Sequence, residues 1–135
     1  MNKSDLIRQC TEGAVNNPYQ GKDRKVLFVC FMGILRSATA ARIYAHKYNT
    51  RSCGVSEEAL IPITQRLIDW ADEVVFVTED IAVQAFKAFN FKENYTILNI
   101  PDNYNHMEPG LIQDFAEQYE GFEYFENPIT ETETT

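Results

Sequence analysis

The sequence predicts an α/β fold, a single domain built on a four-stranded parallel sheet with helices on both faces. Four short apolar runs alternate along the chain with segments whose apolar residues have helical spacing, and this alternation is typical of parallel sheets. The runs are continuously apolar, as expected of strands that are buried on both faces. A chain of 135 residues is long enough for one domain with a substantial core and short for two.

The first strand, the first helix and the second strand follow each other closely. The run "KVLFVC" predicts a strand over Lys25–Cys30, because it is rich in β-branched and aromatic residues. The segment "SATAARIYAHKYN" predicts a helix over residues 37–49, with Ser37 as its N-cap. The segment "TRSCGV" then predicts a short second strand that ends at Gly54.

The middle of the chain, "PITQRLIDWADEVVFVTEDIAVQAFKAFN", predicts a helix, a strand and a helix in succession. Pro62 lies near the start of the first of these helices, since proline is tolerated in a first helical turn. The apolar run over residues 74–77 predicts the third strand. Either Thr78 or Asp80 can cap the helix that follows.

The fourth strand and the last helix complete the predicted domain. The run "YTILNI", residues 95–100, predicts the strand, and "IPDNYNHMEPG" after it has the composition of a loop. A helix is expected from about Pro109, where apolar residues are spaced for one buried face. The domain is therefore assigned to residues 25–126, preceded by an N-terminal extension of residues 1–24 and followed by a flexible acidic tail of residues 127–135.

Charge, apolar runs and cysteines restrict the possible partners and location. Ten Lys or Arg accompany five Asp or Glu up to Arg66, whereas two accompany fifteen beyond it, for a net charge of −8. This acidic second half argues against nucleic-acid binding, and no run is long enough to span a membrane. The start of the chain has no apolar stretch before a cleavage site, so a cytoplasmic location is expected. The odd number of cysteines, Cys10, Cys30 and Cys53, predicts neither a disulfide framework nor a zinc pair.

The segment "CFMGILRS", residues 30–37, carries the chemistry. A loop that leaves a strand and enters a helix directs backbone N–H groups and the positive end of the helix dipole into one concavity, which suits a phosphate group. The same groups stabilise a thiolate, so Cys30 can act as a nucleophile. Arg36 provides a planar fork for two phosphoryl oxygens, and Ser37 can donate a hydrogen bond to the sulfur. A lone cysteine at a strand end is more often a small buried apolar residue, but Arg36 and Ser37 together favour the catalytic interpretation.

The same segment resembles the signature of the low-molecular-weight protein tyrosine phosphatases, a cysteine, five residues, then arginine and serine after the first strand. "TRSCGV" is similar to the short strand of that family, and "WADEVVFVTED" to its run into the third strand. "PDNYNHMEP" is similar to the loop that carries its acidic residue, especially in a small bacterial and phage-type group. The resemblance covers roughly residues 25–119.

The resemblance implies a role for each matching residue. Cys30 corresponds to the nucleophile, Arg36 to the phosphate clamp, and Asp102 to the general acid that later activates water. Tyr104 corresponds to an aromatic residue that lines the substrate slot. The phosphate would be held by the backbone amides of Phe31, Met32, Gly33, Ile34 and Leu35. No metal or cofactor is expected, because Arg36 and these amides supply the positive charge. From the residues alone, Asp102 could instead make an Asx turn, and Tyr104 could belong to the core.

The chain departs from the family pattern at several positions. Gly33 replaces an asparagine whose side chain pins the loop, so a looser loop is expected. Ala38 replaces a proline just inside the helix, and Asn103 replaces the proline of the usual Asp-Pro-Tyr. The family's frequent second cysteine beside the arginine is Leu35 here, which leaves Cys53 as a weak candidate for a redox partner.

The function predicted from the sequence is a metal-independent phosphomonoesterase, a hydrolase that acts through a phosphocysteine intermediate. A protein tyrosine phosphatase is the preferred activity, with a phosphotyrosine protein or a small aryl phosphate as substrate and inorganic phosphate as product. An arsenate reductase is an alternative, but it needs a relay of further thiols. A catalytically impaired homologue that binds phosphate or phosphopeptides is another, and Gly33 and Ala38 give it some support.

Overall fold

Four parallel strands form one sheet in the order β2-β1-β3-β4, in a computed structural model that describes residues 24–120. The strands are β1 (Lys25–Cys30), β2 (Asn49–Gly54), β3 (Glu73–Phe76) and β4 (Tyr95–Ile97). β1 pairs with β2 along its whole length and with β3 on its other side. The predicted four-stranded parallel sheet is therefore confirmed, with β1 in a central position.

Within residues 24–120, four helices connect and cover the strands. They are α1 (Arg36–Ile43), α2 (Gln65–Trp70), α3 (Glu79–Ala88) and α4 (Pro109–Gln118). α1 connects β1 to β2 in one direction across the sheet, whereas α2 lies in the connection that returns past β1 to β3. Since parallel crossovers are right-handed, these two connections lie on opposite faces of the sheet. α4 packs against α1, so both belong to the same face.

The core lies on both sides of β1 and β3. The side chains from Val26 to Val29 are fully buried, as are Val74, Val75 and Phe76 in β3. This double burial explains why the strands read as continuous apolar runs rather than as alternating ones. On the α1 and α4 face, the Phe28 ring contacts Phe115 at 6.4 Å and Tyr119 at 5.6 Å between centroids, so α4 is anchored to the central strand.

The start of α1 differs from the prediction. Leu35 occupies the N-cap position without a side-chain hydrogen bond, and the helix begins at Arg36. Ser37 is the second helical residue and is fully buried, so the prediction that Ser37 caps the helix is wrong. Its hydroxyl faces Cys30 instead of the helix N–H groups. The helix also ends at Ile43, well before the predicted residue 49.

The other helices follow the sequence signals closely. α2 begins at Gln65, because Thr64 occupies its N-cap position and its side chain accepts a hydrogen bond from the N–H of Leu67. Thr78, one of the two candidates, occupies the N-cap position of α3. The last helix begins at Pro109, as predicted.

The structure describes only part of the chain that was divided into an N-terminal extension, a domain and an acidic tail. The four helices and the strands β1, β2 and β3 contribute to one core, which lies within the predicted domain of residues 25–126. The acidic tail of residues 127–135, Cys10 and the extension up to residue 23 lie outside the described residues. No helix within residues 24–120 is long and apolar enough to cross a membrane.

Candidate active site

Cys30 ends β1, and the loop that follows it turns back around its sulfur. The Sγ atom accepts a hydrogen bond from the N–H of Gly33 at 3.2 Å and lies 3.0 Å from Ser37 Oγ. The loop is therefore closed on the cysteine by one backbone amide and one hydroxyl. Both groups can stabilise negative charge on sulfur, which is the arrangement that a nucleophilic thiolate requires.

The Ser37 hydroxyl has two possible partners and one proton. Its Oγ atom lies within hydrogen-bond distance of Cys30 Sγ and also 3.4 Å from the carbonyl oxygen of Cys53. When the thiol is protonated, Cys30 can donate to Ser37 while Ser37 donates to the carbonyl. When the sulfur is a thiolate, the same hydroxyl can donate to sulfur instead. Ser37 can thus accommodate both protonation states without moving the loop.

Arg36 is the buried cation of the site. Its side chain is 6% exposed, and its Nη1 atom donates to the carbonyl oxygen of Ile100 at 2.9 Å. Its Nε atom lies 3.6 Å from Oδ1 of Asp102, whose side chain is 65% exposed. Arg36 and Asp102 are far apart in the sequence, and the loop after β4 brings them together. The guanidinium is held in place by this loop and not by its own helix alone.

A cavity of about 360 Å³ opens beside Arg36. It lies where the loops that follow β1, β3 and β4 meet, the edge at which ligands bind in open parallel sheets. The residues that line it are Phe31, Arg36, Thr78, Asp80, Ile81, Ile100, Pro101 and Asp102. The volume is sufficient for a phosphoryl group with an aryl substituent. Arg36 and Asp102 therefore share a cavity of the right size and place.

Of the predicted site residues, Phe31, Arg36 and Asp102 line this cavity, whereas Cys30, Ser37, Tyr104 and the loop residues 32–35 do not. Cys30 is 2% exposed, although Phe31 and Arg36 of the same loop reach the cavity wall. Attack on a phosphoryl group held by Arg36 therefore requires the loop to turn the sulfur toward the cavity.

Gly33 is fixed by its backbone conformation and by its neighbours. Its φ angle is +85°, a region that side chains rarely adopt. A Cβ atom at this position would also lie 2.9 Å from backbone atoms of Cys53, Gly54 and Ile61. Glycine therefore allows the loop to pack directly against the end of β2, a contact that an asparagine side chain would obstruct.

Gly33→Ala is expected to destabilise the domain by about 1–3 kcal/mol, because the methyl group combines an unfavourable φ with backbone clashes. Chemical denaturation of both proteins measures the difference. Gly110→Ala is the comparison, since its added methyl group would lie 2.8 Å from a side-chain atom of the Tyr104 ring, at a φ outside the left-handed region, and it should cost less than Gly33→Ala. Equal unfolding midpoints for wild type and Gly33→Ala would contradict this account of the loop.

The loop around Cys30 is held by backbone and hydroxyl groups. The N–H of Ser56 donates to the carbonyl oxygen of Phe31 at 2.9 Å, and Ser52 Oγ donates to that of Gly33 at 3.3 Å. The N–H of Val55 donates to the carbonyl oxygen of Cys30. Gly33 provides no side-chain hydrogen bond, but the expected looseness of the loop is opposed by these three anchors from β2 and the residues after it.

Several amides of the loop remain available for an anion. The N–H groups of residues 32, 34 and 35 donate to no acceptor within residues 24–120, whereas the carbonyl groups of Phe31 and Gly33 each accept a hydrogen bond. Because exposed backbone N–H groups next to a helix N-terminus attract anions, these amides can bind phosphoryl oxygens. They complement the fixed guanidinium of Arg36.

The loop that carries Asp102 is attached to the helices of one face. Tyr104 donates its hydroxyl hydrogen to Asp114 Oδ2 at 2.7 Å, and its ring lies against Gly110. This hydrogen bond raises the pKa of Tyr104. Further along, the N–H of Met107 donates to Thr39 Oγ1 at 2.8 Å. Tyr104 thus fastens the loop to α4. Its ring does not line the cavity, so the contact with an aryl substrate that the resemblance implies stays a prediction.

Cys53 is a fully buried residue of β2. Burial raises the pKa of the Cys53 thiol well above its usual value, and the neighbouring Cys30 adds a further contribution in the same direction. A buried thiol that stays protonated is a poor partner in disulfide exchange. The arrangement therefore gives no support to the idea that Cys53 is a redox partner of Cys30.

Besides Ile100 and Pro101, which precede Asp102, three cavity residues were not assigned to the site by the sequence patterns: Thr78 and Asp80, for which only a helix cap was indicated, and Ile81. They belong to the start of α3 and reach the cavity because β3 lies beside β1. The side chain of Thr78 donates a hydrogen bond to Asp80, and this bond lowers the pKa of Asp80. Knowledge of the strand order would have been sufficient to predict their position.

Comparison with protein-family models gives no match for this chain, and neither curated proteins nor solved structures match it. No group of three or more His, Cys, Asp or Glu within residues 24–120 is arranged to hold a metal ion. The fold and the site together define an α/β domain with a cysteine and an arginine on a loop at the carboxyl edge of its sheet.

Proposed function

We propose that the protein is a metal-independent phosphomonoesterase that acts through a phosphocysteine intermediate, with protein tyrosine phosphatase as its activity. The observation that supports this most is the convergence of the site. Arg36 contacts both the carbonyl oxygen of Ile100, 64 positions away, and Asp102, and it ends the loop whose first residue is a cysteine with a sulfur that accepts from a loop amide. A structural cysteine would need neither the buried guanidinium nor the acidic residue.

In the first step, the substrate phosphoryl group is held by Arg36 and the available loop amides. The Cys30 thiolate attacks phosphorus, so an S–P bond forms and the P–O bond to the leaving group breaks. Asp102, in its protonated form, gives its proton to the leaving oxygen. The dianionic phosphoryl group replaces the Asp102 carboxylate as the partner of Arg36.

In the second step, water replaces the thiolate. The Asp102 carboxylate takes a proton from a water molecule as its oxygen attacks phosphorus, the S–P bond breaks, and inorganic phosphate is released. The electron pair of the S–P bond returns to sulfur. Ser37 donates its hydroxyl hydrogen to the departing thiolate, and Gly33 does the same through its N–H, which lowers the barrier for this departure.

Asp102→Asn is expected to lower the rate of aryl phosphate hydrolysis by about 100-fold, because the amide cannot give a proton to the leaving oxygen. Hydrolysis of phenyl phosphate and of para-nitrophenyl phosphate, both with EDTA present, measures the effect. The loss should be greater for phenyl phosphate, whose leaving group is more basic and depends more on protonation. Asp69→Asn, on an exposed part of α2, is the control.

Absence of turnover by the wild-type protein on both esters would contradict the proposed function. An equal loss on the two esters would contradict the role given to Asp102 as proton donor, because a residue that only positions Arg36 has no reason to respond to the basicity of the leaving group. Denaturation curves of both variants separate these effects from a loss of folded protein.

A second candidate function, binding of phosphate or phosphopeptides without turnover, is favoured by one observation, the 2% exposure of Cys30. If the sulfur does not reach the phosphoryl group, Arg36 and the loop amides still bind an oxyanion. Retention of phosphate or vanadate binding by a wild-type protein that hydrolyses neither ester would select this alternative. Arsenate reduction gains no support, because Cys53, the other cysteine within the described residues, is buried and protonated.

A further inference from the structure

The cavity beside Arg36 has an unequal distribution of charge. Three charged side chains line it, Arg36, Asp80 and Asp102. In the proposed reaction, Arg36 neutralises charge on the phosphoryl group and Asp102 transfers protons. Asp80 takes part in neither step. Once a phosphoryl group is bound, the Asp80 carboxylate is the charged group among the lining residues that is left to interact with the rest of the substrate.

Asp80 is held as a carboxylate at the cavity wall. Thr78, which also lines the cavity, donates its hydroxyl hydrogen to Asp80 Oδ1. This hydrogen bond lowers the pKa of Asp80, and the N–H groups of Asp80 and Ile81 and the charge of Arg36 act in the same direction. The side chain is therefore ionised and oriented at neutral pH, although it is exposed to solvent.

The other walls of the cavity provide apolar surface and no further cation. Phe31 lines the cavity and is 44% exposed, and Ile81, Ile100 and Pro101 are apolar. An aryl group can lie against these residues while a charge attached to it approaches the Asp80 carboxylate. A negative group in that place would meet Asp80 with no lysine or second arginine among the lining residues to offset it.

We propose that Asp80 is a specificity-determining residue that selects aryl phosphomonoesters with a positive charge next to the phosphorylated ring, such as phosphotyrosine flanked by lysine or arginine. This inference rests on the proposed function and goes beyond it, because it assigns a substrate class to a residue without a role in the chemical steps. The carboxylate attracts the flanking cation, and it repels a flanking carboxylate by the same amount.

A purely structural role for Asp80 is the alternative, because carboxylates stabilise the first turn of a helix through the helix dipole. Glu79 allows the two roles to be separated. It precedes Asp80 in the first turn of α3, carries the same charge and is exposed, but it does not line the cavity. Asp80→Asn and Glu79→Gln therefore each remove one negative charge from the first turn of α3, and only the first removes a charge from the cavity.

The test compares kcat/KM for two phosphotyrosine peptides, one with two lysines on each side of the phosphotyrosine and one with two glutamates. The wild-type protein and Glu79→Gln should prefer the lysine peptide. Asp80→Asn should lose about two- to fivefold of that preference, the effect expected of one exposed charge pair, and Asp80→Lys should reverse it. The wild-type preference should also fall in 1 M salt, where charges are screened within about 3 Å.

Hydrolysis of para-nitrophenyl phosphate, which has no flanking charge, is measured alongside. Its absence in the wild-type protein would overturn the proposed function and the inference with it. Normal hydrolysis of this ester together with an unchanged peptide preference in Asp80→Asn would overturn the inference alone. An equal reduction in Asp80→Asn and Glu79→Gln would also overturn it, because the preference would then come from the overall negative charge of the protein.

Discussion

Replacing Cys30 by serine is expected to abolish the proposed phosphatase activity, with a loss of at least about 10⁴-fold in kcat. A serine hydroxyl is a much weaker acid than a thiol, so the hydrogen bonds from Gly33 and Ser37 that can stabilise a thiolate are insufficient to produce an alkoxide. Phosphoserine would also be a poorer leaving group in the second step. Hydrolysis of para-nitrophenyl phosphate measures the loss.

Cys53→Ala is the control for this substitution, since it removes the other cysteine of the described residues and leaves the loop in place. It should retain activity when it is folded. Acid quenching of the wild-type reaction followed by mass spectrometry should locate a phosphoryl group on Cys30. A Cys30→Ser variant within tenfold of the wild-type rate would show that water attacks the phosphoryl group directly, and the two-step mechanism would be wrong.

Much of the fold could be predicted because burial leaves a local signal. β1 and β3 are covered on both faces, so each is a continuous apolar run that stands out from its surroundings. The extent of α1 could not be predicted in the same way. Its apolar spacing continues through Tyr44 to Tyr48, but the helix ends at Ile43 because the chain must turn to let Asn49 pair with the start of β1. That constraint is tertiary.

The candidate site was predictable where its residues are neighbours in sequence. Cys30, Arg36 and Ser37 belong to one short segment, and the local pattern of strand, loop and helix places them together. Asp102 required the resemblance to a family, because nothing in its own segment indicates that it lies 3.6 Å from Arg36. Asp80 was missed, since its position depends on the strand order.

Tyr104 shows the same limit of prediction from sequence neighbours. The pattern around it favours an aromatic residue at a substrate slot, but α4 offers a glycine, Gly110, against which the ring can lie and a carboxylate, Asp114, for its hydroxyl. Both partners lie in α4, outside the loop that carries Tyr104. The contact is therefore visible only when the loop and the helix are packed together. The loop position of Asp102 depends on this contact.

Arg36→Lys is expected to lower kcat/KM by about 10³-fold, although the charge is conserved. The guanidinium donates to Ile100 through Nη1 while its Nε approaches Asp102, and the planar group has further N–H groups for two phosphoryl oxygens. A lysine ammonium is a single point that cannot reach these partners together.

Arg42→Lys, an exposed position of the same helix, is the matched control and should keep its activity. Kinetics on para-nitrophenyl phosphate and the affinity for vanadate measure the effect, and both should weaken in Arg36→Lys. A variant with wild-type kinetics would show that charge alone is required at this position, and the bidentate clamp would have to be abandoned.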